Sequence, residues 1–234
     1  MLDSGQVFES LFKGEKNCIF NLLKPEEKAI LEKNHNVTLV KKNEFVYLEG
    51  EMPIGMQYLK EGMVKLIKGG IGGREQIIRM ITRNGLIGYR SLIAGEPHNG
   101  TTVAIEDSEV ITIPPEIVYN VLLRNYDFSL ALLKDLSLEL GFSHLRTVSL
   151  TQKHIRGRLA ESILLLIEKY GFEHDKKTLR VYLSREDLAN LSNMTSSNAI
   201  RTLSIFAGEK VIAMDGRKIK VVDIEKLERI SKQG

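Results

Sequence analysis

Between residues 36 and 113 the apolar residues fall into short β-rich runs spaced about ten residues apart: "NVTLVK", "EFVYLEG", "MQYLKEGMVKLIKG", "EQIIRMIT" and "TTVAIEDSEVITIP". Gly50, Gly62, Gly69, Gly70, Gly72, Gly73 and Gly85 punctuate them as turn signals. This pattern predicts an all-β sandwich or barrel. Ahead of it, "KPEEKAILEKN" sets a proline near a helix start and acids in the first turn, predicting a short amphipathic helix that leads into the barrel.

After Pro114-Pro115 the period changes. Residues 116 to about 150 run without proline, with apolar residues at helical spacing. Leu132, Leu133, Leu136, Leu140 and Phe142, joined by Leu138 and Leu145, cover more than one face. Such a helix is expected to pack against its own barrel on one side and a second subunit on the other; burial in one large core is the plainer alternative. A further helix is read from "HIRGRLAESILLLIEKYG", with Leu159, Ile163, Leu166 and Ile167 on one face and Gly171 as the stop. No proline- or serine-rich linker separates the two, which places a helix-to-helix hinge near Thr151.

Residues 180–222 carry the sharpest local signals. Ser184, with Asp187 three residues on, is an N-cap for a short helix ending near Leu191. "SNM" makes a tight turn, and Thr195 caps the next helix, whose inward face is expected to be Ala199, Ile200, Leu203 and Phe206 and whose stop is Gly208. Two short helices across such a turn predict a helix-turn-helix. "KVIAM" and "RKIKVV" flank Asp215-Gly216, a two-residue hairpin signal that adds a β wing. In that module the second helix enters the major groove. Thr195, Ser196, Ser197 and Asn198 would then meet bases or phosphate at its start, Arg201 would reach a guanine edge, and Arg217 and Lys218 would touch phosphate from the wing. Plain capping by the serines and a surface ion pair for Arg201 are the competing roles.

Charge supports that placement. Residues 1–150 carry a net −2 and residues 151–234 a net +5, within an overall +3. A basic C-terminal part suits a polyanion such as double-stranded DNA, although a solvated charged face gives the same count. The single cysteine, Cys18, allows no internal disulfide or iron–sulfur cluster and reads as a small buried hydrophobe. The five histidines are scattered, so no metal site is expected. No basic leader precedes an apolar stretch and no window is long and apolar enough to span a membrane, so the expectation is a soluble, cytoplasmic chain without a membrane partner. No nucleophile elbow, phosphate-binding lysine loop or paired-carboxylate arrangement suggests an enzyme.

The stretch "GLIGYRSLIAGEPHNGTT", residues 85–102, has the glycines and small polar residues of a loop that can close around a phosphate, although most such loops are only turns. Its meaning depends on a wider likeness. "YLKEGMVKL", "GYRSLIAGE", "RLAESILLLIEKYG", "LSREDLANL", "AIRTLSIF" and "DGRKIKVVD" occur in the order and spacing of the Crp/Fnr superfamily of bacterial transcription regulators, which the chain resembles over nearly its whole length, and especially its Bacteroidetes members. The resemblance implies an α+β chain of two domains. Residues 1–115 would form a cyclic-nucleotide-binding-like double-stranded β-helix (jelly roll), 116–150 a long dimerisation helix, and 151–234 a C-terminal winged helix-turn-helix. It also implies a homodimer on a near-palindromic operator, RNA polymerase as a partner, and a small-molecule effector whose binding moves the DNA-binding ends through the long helix.

Two departures alter those expectations. The resemblance puts the effector pocket at Gly88, Tyr89, Arg90, Ser91, Asn99, Gly100, Thr101 and Thr102. Here Tyr89 stands where cyclic-AMP-responsive members have a glutamate for the ribose, and Asn99-Gly100 where they have the arginine–serine pair for the phosphate. These side chains argue against cyclic AMP and predict no resident cofactor; Arg90 is left to meet another anion or an internal carboxylate. In the second helix, Ser196-Ser197 replace the arginine–glutamate pair that many members use to read DNA, so the familiar operator is not expected. The alternative function is a small-molecule sensing module with a weakened DNA-binding end.

Overall fold

The computed structural model describes residues 18–233, apart from the side chain of Ile71. The reading of the first ten residues as carrying no export leader lies outside that range. The described residues divide into two compact units, one holding those from Cys18 to Gly69 together with Ile77–Leu140, the other holding Gly70–Gln76 and those from Gly141 to Gln233.

In the first unit α1 (Pro25–Lys33) leads into β1 (Asn36–Val40), β2 (Phe45–Tyr47), β3 (Met56–Glu61), β4 (Met63–Gly69), β5 (Glu75–Thr82), β6 (Leu86–Ile87), α2 (Tyr89–Ala94), β7 (Thr101–Ala104) and β8 (Ser108–Ile113). The strands form two four-stranded sheets, in the orders β1-β8-β3-β6 and β2-β7-β4-β5. This interleaving is that of a jelly roll. Register is set by alternate side chains facing inward: Tyr58 opposite Ile111 in one sheet, Leu66 opposite Thr102 in the other. Gly62 makes the tight β3–β4 connection at φ +94°, where an added Cβ would also lie 2.2 Å from Ser108 Oγ. Between the sheets lie Val40, Leu59, Val64, Ile81, Ile87, Ala104 and Val110. A larger core beneath joins Phe20, Leu31, Tyr58, Ile111, Val118, Leu122, Phe128 and Leu132, with Phe20 edge-on to Tyr58 at 5.1 Å. Cys18 is buried here, its Sγ 3.6 Å from the Tyr58 hydroxyl.

The helical segment after the prolines is not one helix. α3 (Pro115–Asn120) ends as Val121 leaves helical geometry at φ −120°, ψ −64°, and α4 (Tyr126–Gln152) starts anew. Asn125 makes the break worthwhile: its Oδ1 accepts the Phe128 N–H at 2.9 Å while its Nδ2 donates to Glu27 Oε2 at 2.7 Å, tying the start of α4 to α1. Leu132 on α4 is buried against the barrel core and Leu136 is half-buried, whereas Leu133, Leu138, Leu140 and Leu145 are exposed.

The second unit contains the remainder of α4, then α5 (Ile155–Tyr170), α6 (Arg185–Leu191), α7 (Ser196–Gly208), β9 (Ile212–Asp215), β10 (Lys218–Val221) and α8 (Ile224–Gln233). Leu159, Ile163, Leu188, Leu203, Phe206 and Leu227 are fully buried in its core. Burying each such side chain contributes roughly 1.5–3 kcal/mol. Residues 177–179 extend the β9–β10 hairpin, with the Leu179 N–H donating to the Ile219 carbonyl and the Val221 N–H to the Lys177 carbonyl, both at 2.9 Å. Arg146, on the part of α4 in this unit, is buried and donates to the Leu191 carbonyl at the end of α6, where a cation suits the negative end of a helix.

Candidate functional site

The geometry of the second unit centres on α6, the turn after it, and α7. Ser184 Oγ accepts the Asp187 N–H at 2.9 Å and the Asp187 carboxylate accepts in return from the Ser184 N–H, a reciprocal cap that starts α6. Asn193, at φ 50°, turns the chain. Thr195 Oγ1 then accepts the Asn198 N–H at 3.3 Å and opens α7. Inside α7 the buried residues are Ala199, Thr202, Leu203 and Phe206. Ile200, expected inward from the sequence, is 49% exposed, and Thr202 holds the interior position instead. The registers 199-200-203-206 and 199-202-203-206 both fit a helix face, and only packing distinguishes them.

The opposite stripe, Ser197, Ile200, Arg201 and Ser204, is exposed, with Ser196 beside it at the helix start. Arg201 engages no ion pair among the described residues. The back of α7 is held firmly. Arg156 forks onto Glu209 at 2.8 and 3.0 Å and lies 5.4 Å over the Phe206 ring, and Lys226 reaches the same carboxylate at 3.6 Å. The Arg156 guanidinium, followed by Lys226, holds Glu209 below the usual carboxylate range.

On the wing, Arg217 is exposed and makes no ion pair among the described residues, whereas Lys218 does not stand free. Its Nζ lies 4.0 Å from Glu173 Oε1 and 5.3 Å over the Tyr182 ring, and Lys220 pairs with Asp175 at 3.7 Å. The Asp175 carboxylate sits well below its ordinary range because the Thr178 and Lys177 N–H groups and the Thr178 hydroxyl donate to it. Arg185, at the start of α6, donates to the Gly216 carbonyl at the wing turn and so ties the wing to the helix pair.

In the barrel, the stretch read as a loop is built as β6, α2 and an extended return. Gly88 enters α2 at φ +71°; an added Cβ there would approach His98 Cε1 to 3.1 Å. Tyr89 is 3% exposed and turned inward, its hydroxyl donating to Asp135 of α4 at 2.6 Å. Burial and then that hydrogen bond raise it well above the ordinary phenol range. Arg79 of β5 completes a cluster, 5.9 Å from the Tyr89 ring, 3.8 Å from Asp135 and 3.2 Å from Glu139. Arg90 pairs with Glu96 and donates to Ser91 Oγ at 3.1 Å, so the internal carboxylate has taken it. Asn99 is exposed, and Thr101 Oγ1 accepts the Glu49 N–H at 3.0 Å. Gly100 is a close approach: a Cβ there would lie 2.6 Å from the Ile67 carbonyl oxygen. Thr102 is fully buried.

His98 was not anticipated. It is buried, stacks on Tyr47 at 3.6 Å between ring centroids, and leaves Nδ1 without a hydrogen-bond partner among the described residues. Nor did the sequence disclose the partners of Tyr89, because Arg79, Asp135 and Glu139 are separated along the chain and meet only through the fold. A cleft of about 400 Å³ opens beside the same cluster, lined by Arg79, Asp135, Leu22, Leu86 and Ala131 among others, and none of the residues from Gly88 to Thr102 lines it.

Residues 37–125 match the family model of the cyclic nucleotide-binding domain, and residues 157–230 that of the Crp-like helix-turn-helix domain. The chain is 24% identical over 188 residues to the global nitrogen regulator of a Nostoc species, covering 79% of this chain and 84% of that one. It is 22% identical over 213 residues to a CRP-like cAMP-activated global transcriptional regulator of Mycobacterium tuberculosis, covering 90% and 95%. Among solved structures, FixK2 from Bradyrhizobium japonicum superposes with a TM-score of 0.74 at 20% identity, covering 84% of this chain and 96% of that one.

Proposed function

The chain belongs to the Crp/Fnr family of transcription regulators, and from that premise we propose that it binds a near-palindromic operator as a homodimer, one α7 in each of two successive major grooves. The observation that carries this is the outward stripe of α7, where Ser197 and Arg201 stand exposed while the opposite face is buried in the core and the far end is tied down by the Arg156–Glu209 pair. Thr195, Ser196 and Asn198 at the helix start and Arg217 on the wing act as phosphate and base contacts around it. Lys218 contributes less, because Glu173 and Tyr182 already hold it.

The dimer reading rests on α4. Tyr126, Leu130, Leu133 and Leu140 are exposed at spacings of four, three and seven residues, followed by Val148. An apolar stripe of that period is what a partner helix covers. In the barrel, Tyr89 and Arg90 are occupied by Asp135 and Glu96, which supports an effector other than cyclic AMP; that no helix among the described residues is long and apolar enough to cross a membrane fits a regulator acting in the cytoplasm. RNA polymerase is the partner through which operator binding changes transcription.

Selection of bound duplexes from a random DNA pool tests the proposal. An enriched sequence with two-fold symmetry and half-sites centred about 10 base pairs apart, or a multiple of that, is expected. Recovery of no enriched sequence favours the small-molecule sensing module whose DNA-binding end has weakened.

A further inference from the structure

The outward side of α7 holds two exposed apolar residues among hydroxyls and a guanidinium, Ile200 and, one turn beyond Arg201, Ile205 at 40% exposed; Ile200 is the one nearer the helix start, the end that meets base edges. Ile200 lies between Ser197 and Ser204 along the helix and next to Arg201, and 49% of it is exposed. Of these neighbours Ser204 is committed to its own helix, donating to the Ile200 carbonyl at 3.0 Å. Serine hydroxyls donate or accept and so separate the bases poorly. Near the helix start, where base edges are met, the residues with marked base preference are therefore Arg201, whose fork fits guanine, and Ile200.

We infer that Ile200 is a specificity-determining residue that packs against the C5-methyl group of a thymine in the major groove, within about two base pairs of the guanine read by Arg201. The inference rests on the DNA-binding reading and gives that site a base. Three features of the residue suit the task. Its branched Cβ leaves χ1 with one strongly preferred rotamer in a helix, so little freedom is lost when it is covered. Its surface is apolar and half-exposed beside a cation that makes no ion pair among the described residues, a place where water is displaced when a duplex docks. The helix beneath is fixed by the buried Ala199, Thr202, Leu203 and Phe206, which holds the side chain at a constant height above the groove.

The test removes the methyl from the DNA rather than from the protein. In the duplex selected by the full chain, each thymine is replaced in turn by deoxyuridine in both half-sites, and affinity is measured for the wild type and for Ile200→Ala. Alanine is a strong helix former, so the fold survives the exposed substitution, and an unchanged melting temperature checks this. At one thymine near the guanine the wild type is expected to lose about fourfold per half-site, the factor that one methyl-sized group supplies. In Ile200→Ala that loss should vanish while every other thymine behaves as before. Absence of any uracil-sensitive position near the guanine overturns the inference, as does a loss of the same size in Ile200→Ala. Failure of the wild type to select any sequence overturns the DNA-binding reading itself, which the uracil series leaves untouched.

Discussion

α7 and the barrel segment around α2 are the two places where the family resemblance implies a ligand site, and they use their side chains in opposite ways. On α7, Ser197 and Arg201 are exposed and Arg201 is unpaired among the described residues. Around α2, Tyr89 is bonded to Asp135, Arg90 to Glu96 and Ser91, and Thr101 to Glu49. Residue type alone made both look like binding sites. A side chain can serve a ligand only if the fold has left it unspent, since exchanging an internal partner for an external one returns little net free energy.

The largest expected effect breaks the comparison most directly. Arg201→Ala should cost about 1–3 kcal/mol in specific operator binding, roughly 5- to 150-fold, with no change in melting temperature. Tyr89→Phe should do the reverse. It removes a part-buried hydrogen bond to Asp135 and is expected to cost the barrel unit about 1 kcal/mol of stability in denaturant unfolding, with operator affinity per folded dimer unchanged. If Arg201→Ala lowered the melting temperature, or Tyr89→Phe left unfolding unaltered, the division between spent and unspent side chains would not hold.

The sequence made this contrast only half legible. Local signals survived folding well: the Ser184–Asp187 and Thr195 caps, the Asp215-Gly216 turn, and β1, β3, β4 and β5 within a residue of their apolar runs, whereas β2 stops three residues before its run ends and the run from Thr101 divides into β7 and β8. Each depends on neighbours within four residues, which the sequence displays. Misreadings arose where packing or distant partners decided. Ile200 and Thr202 compete for one interior position, and the smaller polar residue won. Asn125 breaks the helix after the prolines by reaching Glu27, 98 residues away, and the side chain of Tyr89 finds Asp135 across 46 residues. The two-residue β6 and six-residue α2 are too short for a period to show against their glycines.

Buried His98 sharpens the barrel side through pH. Burial, and to a lesser degree Arg90, lowers its pKa from the usual 6.5, with Glu51 opposing. The unfolded chain therefore takes up this proton at a higher pH than the folded one. The stability it contributes is present above about pH 6.5 and is lost as the pH falls through the window below. Melting temperature should drop between about pH 7.5 and pH 5.5 more steeply in the wild type than in His98→Gln, which does not titrate there. Parallel profiles would mean that the imidazole is protonated freely in the folded barrel.

On the wing, Arg217 and Lys218 are adjacent cations in different states, and salt separates them. Arg217→Ala should lower the slope of log affinity against log salt by about 0.9 per subunit, one phosphate contact's worth. Lys218→Ala should lower it less, because Glu173 and Tyr182 hold that ammonium in the free protein. An equal loss would show that Lys218 leaves both for phosphate, and that its pairing is a resting position.

The smallest expected effect falls on Arg90. Its pair with Glu96 is nearly half-exposed on both sides, and exposed pairs contribute about 0–1 kcal/mol, so Arg90→Ala should shift the melting temperature little. That weakness makes Arg90 the residue an anionic ligand could recruit at least cost, and it is where the comparison is most open to reversal. Cyclic AMP titrated into the wild type should give no saturable rise in melting temperature, since Tyr89 and Asn99-Gly100 supply neither the ribose carboxylate nor the phosphate arginine. A saturable rise that Arg90→Ala abolished would show the guanidinium exchanging Glu96 for phosphate, and the barrel would then join α7 as a surface with side chains to spare.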